Sequence, residues 1–108
     1  MEQDDIFIKN VQEVIQNNIK SPRLKGDFIA AQLGMSRMQL HRKLKAVTKQ
    51  HARAYIRTVR ISQAKQQLKS TSKFTYQIAQ ECGFKHYTHF SRLFKKHTGF
   101  SPSVFRKF

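Results

Sequence analysis

The strongest constraint in this sequence is that part of it occurs twice. Ile29-Ala30-x-x-x-Gly34-Met35 returns as Ile78-Ala79-x-x-x-Gly83-Phe84 at an offset of 49. One extra residue in the second copy makes the offset 50, which then places Leu40 on Phe90, Arg42 on Arg92, Leu44 on Phe94, Lys45 on Lys95 and Thr48 on Thr98. Each copy runs from a short apolar segment through a glycine to a second segment with apolar residues four apart. That spacing is one face of a helix. Two helices joined by a tight turn containing glycine make a helix-turn-helix unit, and the chain must build this unit twice.

The local signals agree in both copies. In the first, residues 28–33 read as a short helix beginning near Gly26-Asp27, and Gly34 supplies the left-handed residue that closes it. Ser36, with Gln39 three residues on, has the capping-box pattern, so a new helix is predicted over residues 37 to about 48. Its inward stripe is Leu40, Leu44 and Val47; Arg37, Met38, His41, Arg42 and Lys45 face the other way. In the second copy Thr75 is the expected cap of the first helix. Phe90 and Phe94, helped by Leu93, form the inward stripe of the second helix, leaving Tyr87, Thr88, Ser91, Arg92 and Lys95 outward.

Around the copies lie three further segments. Asp4 and Asp5 are candidate caps for an amphipathic helix over residues 5–20, with Phe7, Val11, Val14, Ile15 and Ile19 on one face and Ser21-Pro22 as its stop. Between the copies, Ala52 to about Ser70 contains no Gly or Pro and places Tyr55, Ile56, Val59, Ala64 and Leu68 near helical spacing. Such a rod, roughly 27 Å long, suits a spacer between two modules. Finally, Ser101 and Pro102 open a last short helix in which Phe105 points inward. The expectation is one all-α domain over residues 1–108, with subdomain one at about 5–50, a linker helix at about 52–70 and subdomain two at about 74–108.

Charge decides between partners. Lys and Arg number 21 against six Asp and Glu, a net charge of +15, and five of the six acids lie in the first 27 residues. From residue 28 onward, 17 basic residues face Glu81 alone, an excess beyond what solubility requires. A polyanion is the expected partner, nucleic acid ahead of an anionic membrane surface. Every ionisable group on the outer face of residues 37–48 is basic or a histidine, which points to contact with nucleic acid. Arg reads guanine bidentately in the major groove, while Ser, Thr and Tyr donate to bases or phosphates. Double-stranded RNA excludes a helix from its narrow major groove, and most of the nine Phe occupy inward positions instead of forming a stacking platform for single strands. Sequence-specific binding of double-stranded DNA is the first reading; the alternative is a nonspecific DNA-packaging or RNA-binding protein.

Other chemistry has little support. Cys82, His86 and His89 form C-x3-H-x2-H, with His97 as a possible fourth zinc ligand, but Gly83 breaks the register between them and Cys82 falls where a small buried residue is wanted. No metal or cofactor is expected. Nothing pairs a nucleophile with a base, and carboxylates are almost missing after residue 27, so an enzyme is not expected. One cysteine fits a reducing compartment, no apolar run approaches a membrane span, and MEQDD is acidic where a signal peptide is basic, so the expected location is the cytoplasm without membrane contact.

Residues 24–108 resemble the DNA-binding domain of the AraC/XylS family of bacterial transcription regulators. The stretch IAQECGFKHYTHFSRLFKKHTGFSPSVFRK is similar to the family signature, and IAAQLGMSRMQLHRKLKAVT with IRTVRISQAKQQL is similar to the output domains of hybrid two-component regulators. The resemblance implies seven helices, and two helix-turn-helix subdomains joined by a long central helix. It also implies that Arg37, Met38, His41 and Arg42, and Tyr87, Thr88, Ser91 and Arg92, read bases in successive major-groove segments. Double-stranded DNA, RNA polymerase and an N-terminal sensor or signalling region are the partners it implies. Two departures stand out: Lys49 and Ala52 replace the Gly and Pro seen at Gly99 and Pro102, which predicts an altered turn, and His86 replaces a better helix cap.

Overall fold

The computed structural model describes residues 2–108. They form seven helices, α1 (Glu2–Asn17), α2 (Gly26–Gln32), α3 (Arg37–Thr48), α4 (Ala52–Ser70), α5 (Thr75–Glu81), α6 (Tyr87–Thr98) and α7 (Pro102–Arg106), and no strand occurs among the described residues. The chain divides into two compact units at Val59 and Arg60, inside α4.

In the first unit, Phe7, Val11 and Ile15 of α1 pack with Ile29 and Ala30 of α2, Leu40 and Leu44 of α3, and Ala52, Tyr55, Ile56 and Val59 of α4. These follow the stripes expected from periodicity, with Val14 and Val47 only partly buried against them, Ile19 half-buried beyond the end of α1, and Leu24 added from the loop after α1. The Tyr55 hydroxyl stays satisfied at the edge of this core by accepting a 3.0 Å hydrogen bond from Gln12 Nε2. Gly26 lets α2 approach α4 closely: a Cβ placed there would lie 3.2 Å from the Ala52 methyl.

The second unit has its own core. Ile61, Ala64 and Leu68 of α4 pack with Ile78, Ala79, Cys82, Phe84, Phe90 and Phe94, while Leu93 and Phe105 cover its margin. Phe90 and Phe94 are fully buried with ring centroids 5.6 Å apart, and the Phe105 ring stands edge-on to Phe94 at 5.2 Å. Arg106 then reaches back to the end of α4, donating from Nε to the Leu68 carbonyl at 3.1 Å and from Nη2 to the Thr71 carbonyl at 3.2 Å. Those carbonyls belong to a helix end that has no partners of its own, so the last short helix closes the unit as a cap on α4.

Several boundaries differ from expectation. The first helix starts at Glu2 instead of residue 5, so Asp4 and Asp5 lie within its first turns instead of capping it. It stops at Asn17, before Ser21-Pro22, because Asn18 turns its amide back to the Val14 carbonyl at 2.8 Å and ends the helical ladder. Thr75 is not a cap: Phe74 holds that position without a side-chain hydrogen bond, and Thr75 is the first residue of α5. Its hydroxyl instead accepts from the Tyr87 hydroxyl at 3.0 Å.

The turn after α3 is not altered. Thr48 Oγ1 donates to the Leu44 carbonyl at 2.8 Å and accepts from the Gln50 amide at 3.1 Å; Thr98 Oγ1 makes the same pair of bonds with the Phe94 carbonyl at 2.9 Å and the Phe100 amide at 3.1 Å. Lys49 and Gly99 then both take left-handed backbone conformations, at φ 64° and 84°. A lysine carries a steric cost of roughly 1–2 kcal/mol there that a glycine does not, partly offset by the smaller backbone entropy it loses on folding. Lys49→Gly is therefore expected to stabilise the protein by about 0.5–1 kcal/mol, raising Tm by several degrees in thermal unfolding; a lowered Tm would show that the turn depends on the lysine side chain.

Candidate nucleic-acid interface

The outward residues of α3 are held at known positions by its N-terminus. Ser36 Oγ accepts from the Gln39 amide at 3.1 Å while Gln39 Oε1 accepts from the Ser36 amide at 3.0 Å, the full reciprocal cap. Leu40 and Leu44 are buried, which fixes the opposite face outward: Arg37, Met38, His41, Arg42 and Lys45 are all exposed, Met38 at 74%. The structure thus brings the six candidates of the first unit onto one helix and its cap. Met38 lines an open depression together with Leu40 and Ala52.

The second helix of the second unit lacks such a cap. His86 has the extended backbone of a cap residue but no side-chain hydrogen bond, and α6 nonetheless begins at Tyr87 because burial of Phe90 and Phe94 orients it. Tyr87, Thr88, Arg92 and Lys95 are exposed, and Ser91 is half-buried. The extra residue noted in the sequence lies in the turn, which spans residues 82–86 here and 33–36 in the first unit.

One feature of both units was not visible in the sequence. The first side chain of each outward helix is tied to the start of the helix before it. Arg37 Nη1 donates to the Asp27 carboxylate at 3.2 and 3.3 Å, and Tyr87 donates to Thr75. The Arg37–Asp27 pair is exposed, so its contribution to stability is small. By contrast Arg42 and Arg92, the repeat-equivalent arginines, are exposed and make no ion pair or hydrogen bond among the described residues. His41 is in contact with His51, Nε2 to Nδ1 at 2.8 Å.

The zinc alternative does not assemble. Cys82 is fully buried, and burial is the main reason its thiol is pushed up to about 12, with Glu81 adding to the effect and Arg60 and Lys73 opposing it. His89 sits edge-on to Phe84 at 6.1 Å. Among the described residues no group of three or more His, Cys, Asp or Glu is placed to hold a metal ion. Nor is any described helix long and apolar enough to cross a membrane.

Two helix-turn-helix units, each presenting an exposed helix whose charges are basic, define a nucleic-acid-binding module. A family model described as a helix-turn-helix domain matches residues 29–107. The transcriptional activator NphR of Rhodococcus sp. is 33% identical over 100 residues, covering 93% of this chain and 30% of that protein. The activator RhaS of Escherichia coli is 33% identical over 81 residues, covering 75% and 29%. Among solved structures, an AraC-type DNA-binding transcriptional regulator from Chromobacterium violaceum superposes with a TM-score of 0.89 at 31% identity, over 99% of this chain and 95% of that one. The C-terminal domain of AraT, a response regulator from Geobacillus stearothermophilus, gives 0.80 at 26% identity over 94% and 84%. The chain belongs to the AraC-type helix-turn-helix DNA-binding domain family of transcription regulators, and it spans about 30% of the length of the curated relatives it matches.

Proposed function

We propose that α3 and α6 each enter a major groove of one DNA duplex and read two different sequence elements, with Arg42 and Arg92 as the principal base-reading groups. The observation that carries this is their placement: equivalent positions in the repeat, exposed side chains, and no competing partner among the described residues. Met38, His41, Thr88 and Ser91 complete the base-facing set. Lys45 and Lys95 serve the phosphates, and Ser36 sets the start of α3. Arg37 and Tyr87, already bonded to the preceding helices, act chiefly by aiming α3 and α6. Because the two units run in the same chain direction, the site is asymmetric, with its two elements about one helical turn apart.

The wider reading follows the family. The region of about 5–50 is one reading module, that of about 74–108 the other, and α4 is their connection. The domain is the output end of a regulator that works in the cytoplasm, takes its signal from a sensor or signalling region, and acts on RNA polymerase.

Arg42→Ala and Arg92→Ala test the assignment. Each is expected to weaken binding by about 1–3 kcal/mol on the preferred duplex and to relax preference at one base step. The check is binding to a panel of duplexes with single base-pair changes. Equal weakening on every duplex would demote these arginines to phosphate contacts.

A further inference from the structure

The contact between His41 and His51 has no counterpart in the other half of the chain, where the equivalent positions are Ser91 and Ser101. Ser101 caps α7 with its hydroxyl, accepting from the Val104 amide at 3.3 Å. His51, in the same place before α4, turns its ring toward α3 instead, so that its Nδ1 lies 2.8 Å from His41 Nε2, with the two rings nearly parallel at 15° and their centroids 4.6 Å apart. Both side chains are exposed, and His41 also borders an open depression of about 500 Å³ together with Asp27 and Ala52.

Two imidazole nitrogens this close, one on α3 and one just before α4, both reachable from solvent, have the spacing of a chelate once the exposed rings turn their in-plane lone pairs toward a common point. Bonds of about 2.0–2.1 Å from nitrogen to a metal ion, at roughly 90–110° to each other, place the two nitrogens about 3 Å apart. Either ring nitrogen of a neutral histidine can be the donor, provided the proton sits on the other one. We propose that His41 and His51 form a two-point site for a borderline divalent transition-metal ion, Zn²⁺, Ni²⁺ or Cu²⁺, whose remaining positions are filled by water. No third ligating side chain joins them among the described residues, so the site is open and of modest affinity. Arg37, Arg42 and Lys45 on α3, and Lys49 and Arg53 on either side of His51, oppose a cation, and Asp27 across the same depression offsets them only in part because it is paired with Arg37. A bound ion fixes α3 to the start of α4 through Nε2 of one ring and Nδ1 of the other.

The test is done without DNA and so stands apart from the DNA-binding reading. Tag-free protein at about pH 7.5 is titrated with zinc and nickel chloride by calorimetry, and its thermal unfolding is followed in parallel. His41→Ser and His51→Ser each introduce the residue found in the other half of the chain, at exposed positions, and circular dichroism verifies that they fold. The expected result is a single site in the wild type and a Tm rise of about 5 °C at about ten times the dissociation constant. Affinity should fall about tenfold or more in either variant, and also on acidification, since protons compete with the ion for the ring nitrogens. No binding by the wild type, or equal binding by both variants through His86, His89 or His97, overturns the proposal. So does a Tm that responds to pH but not to metal, which would leave the pair sharing only a proton.

Discussion

Phe94→Ala is expected to cost the protein about 3–5 kcal/mol of stability, the loss typical of deleting a fully buried aromatic ring. Phe94 is completely buried and its ring touches both Phe90 and Phe105, so truncation removes two ring–ring contacts at once. A domain of this size has about 5–15 kcal/mol in total, so the variant should unfold at a much lower urea concentration, and its α6 should no longer hold Arg92 and Lys95 outward. Urea unfolding followed by circular dichroism checks this. A loss below about 1 kcal/mol would mean that α6 is not anchored by the Phe90 and Phe94 stripe.

Affinity for duplex DNA is expected to fall by about 10³-fold or more between 50 and 200 mM salt. The reason is the charge excess from residue 28 onward, where 17 basic residues face one acid. Each phosphate neutralised by a Lys or Arg releases condensed counterions, giving a slope of about −0.9 per contact in log affinity against log salt. Six or more such contacts are within reach of a chain with net charge +15. A flat salt dependence would remove the nucleic-acid reading altogether, whatever the fold.

Much of this architecture is legible in the sequence because it rests on local rules repeated twice. The stripe at Leu40 and Leu44, its counterpart at Phe90 and Phe94, the Ser36 and Gln39 cap and the Ser101-Pro102 start all follow from side chains at most four residues apart, and the structure has each of them. The left-handed Lys49 is harder to read: lysine favours no such conformation, and what holds it there is the Thr48 hydroxyl bridging Leu44 and Gln50, a feature recognisable only beside Thr98. The contacts between side chains ten or more residues apart were not legible. Arg37 with Asp27, Tyr87 with Thr75, His41 with His51, and Arg106 with the end of α4 carry no periodic signature, since they depend on where a turn delivers two helix ends. Thr75 shows the consequence. Its composition suggests a cap, but the hydroxyl is engaged by a tyrosine twelve residues away and the cap position passes to Phe74.

These contacts change how the candidate residues divide. Periodicity alone makes Arg37 and Arg42 equivalent members of one cationic face, and Tyr87 and Arg92 equivalent members of the other. The structure separates them, because Arg37 and Tyr87 already have protein partners. An arginine bonded to a carboxylate has part of its fork committed, whereas an uncommitted guanidinium can present two donors to guanine. The same division sets the order in which substitutions should matter for base preference, with Arg42 and Arg92 ahead of Arg37 and Tyr87.

Competition binding separates a domain that reads a sequence from one that merely holds polyanions. A duplex selected by the protein from a random library is competed, at fixed salt, against the same composition in scrambled order. A preference of about 10³-fold or more for the selected duplex is expected, distributed over two separate elements; equal affinity for the selected and scrambled duplexes would mean that the domain does not read sequence.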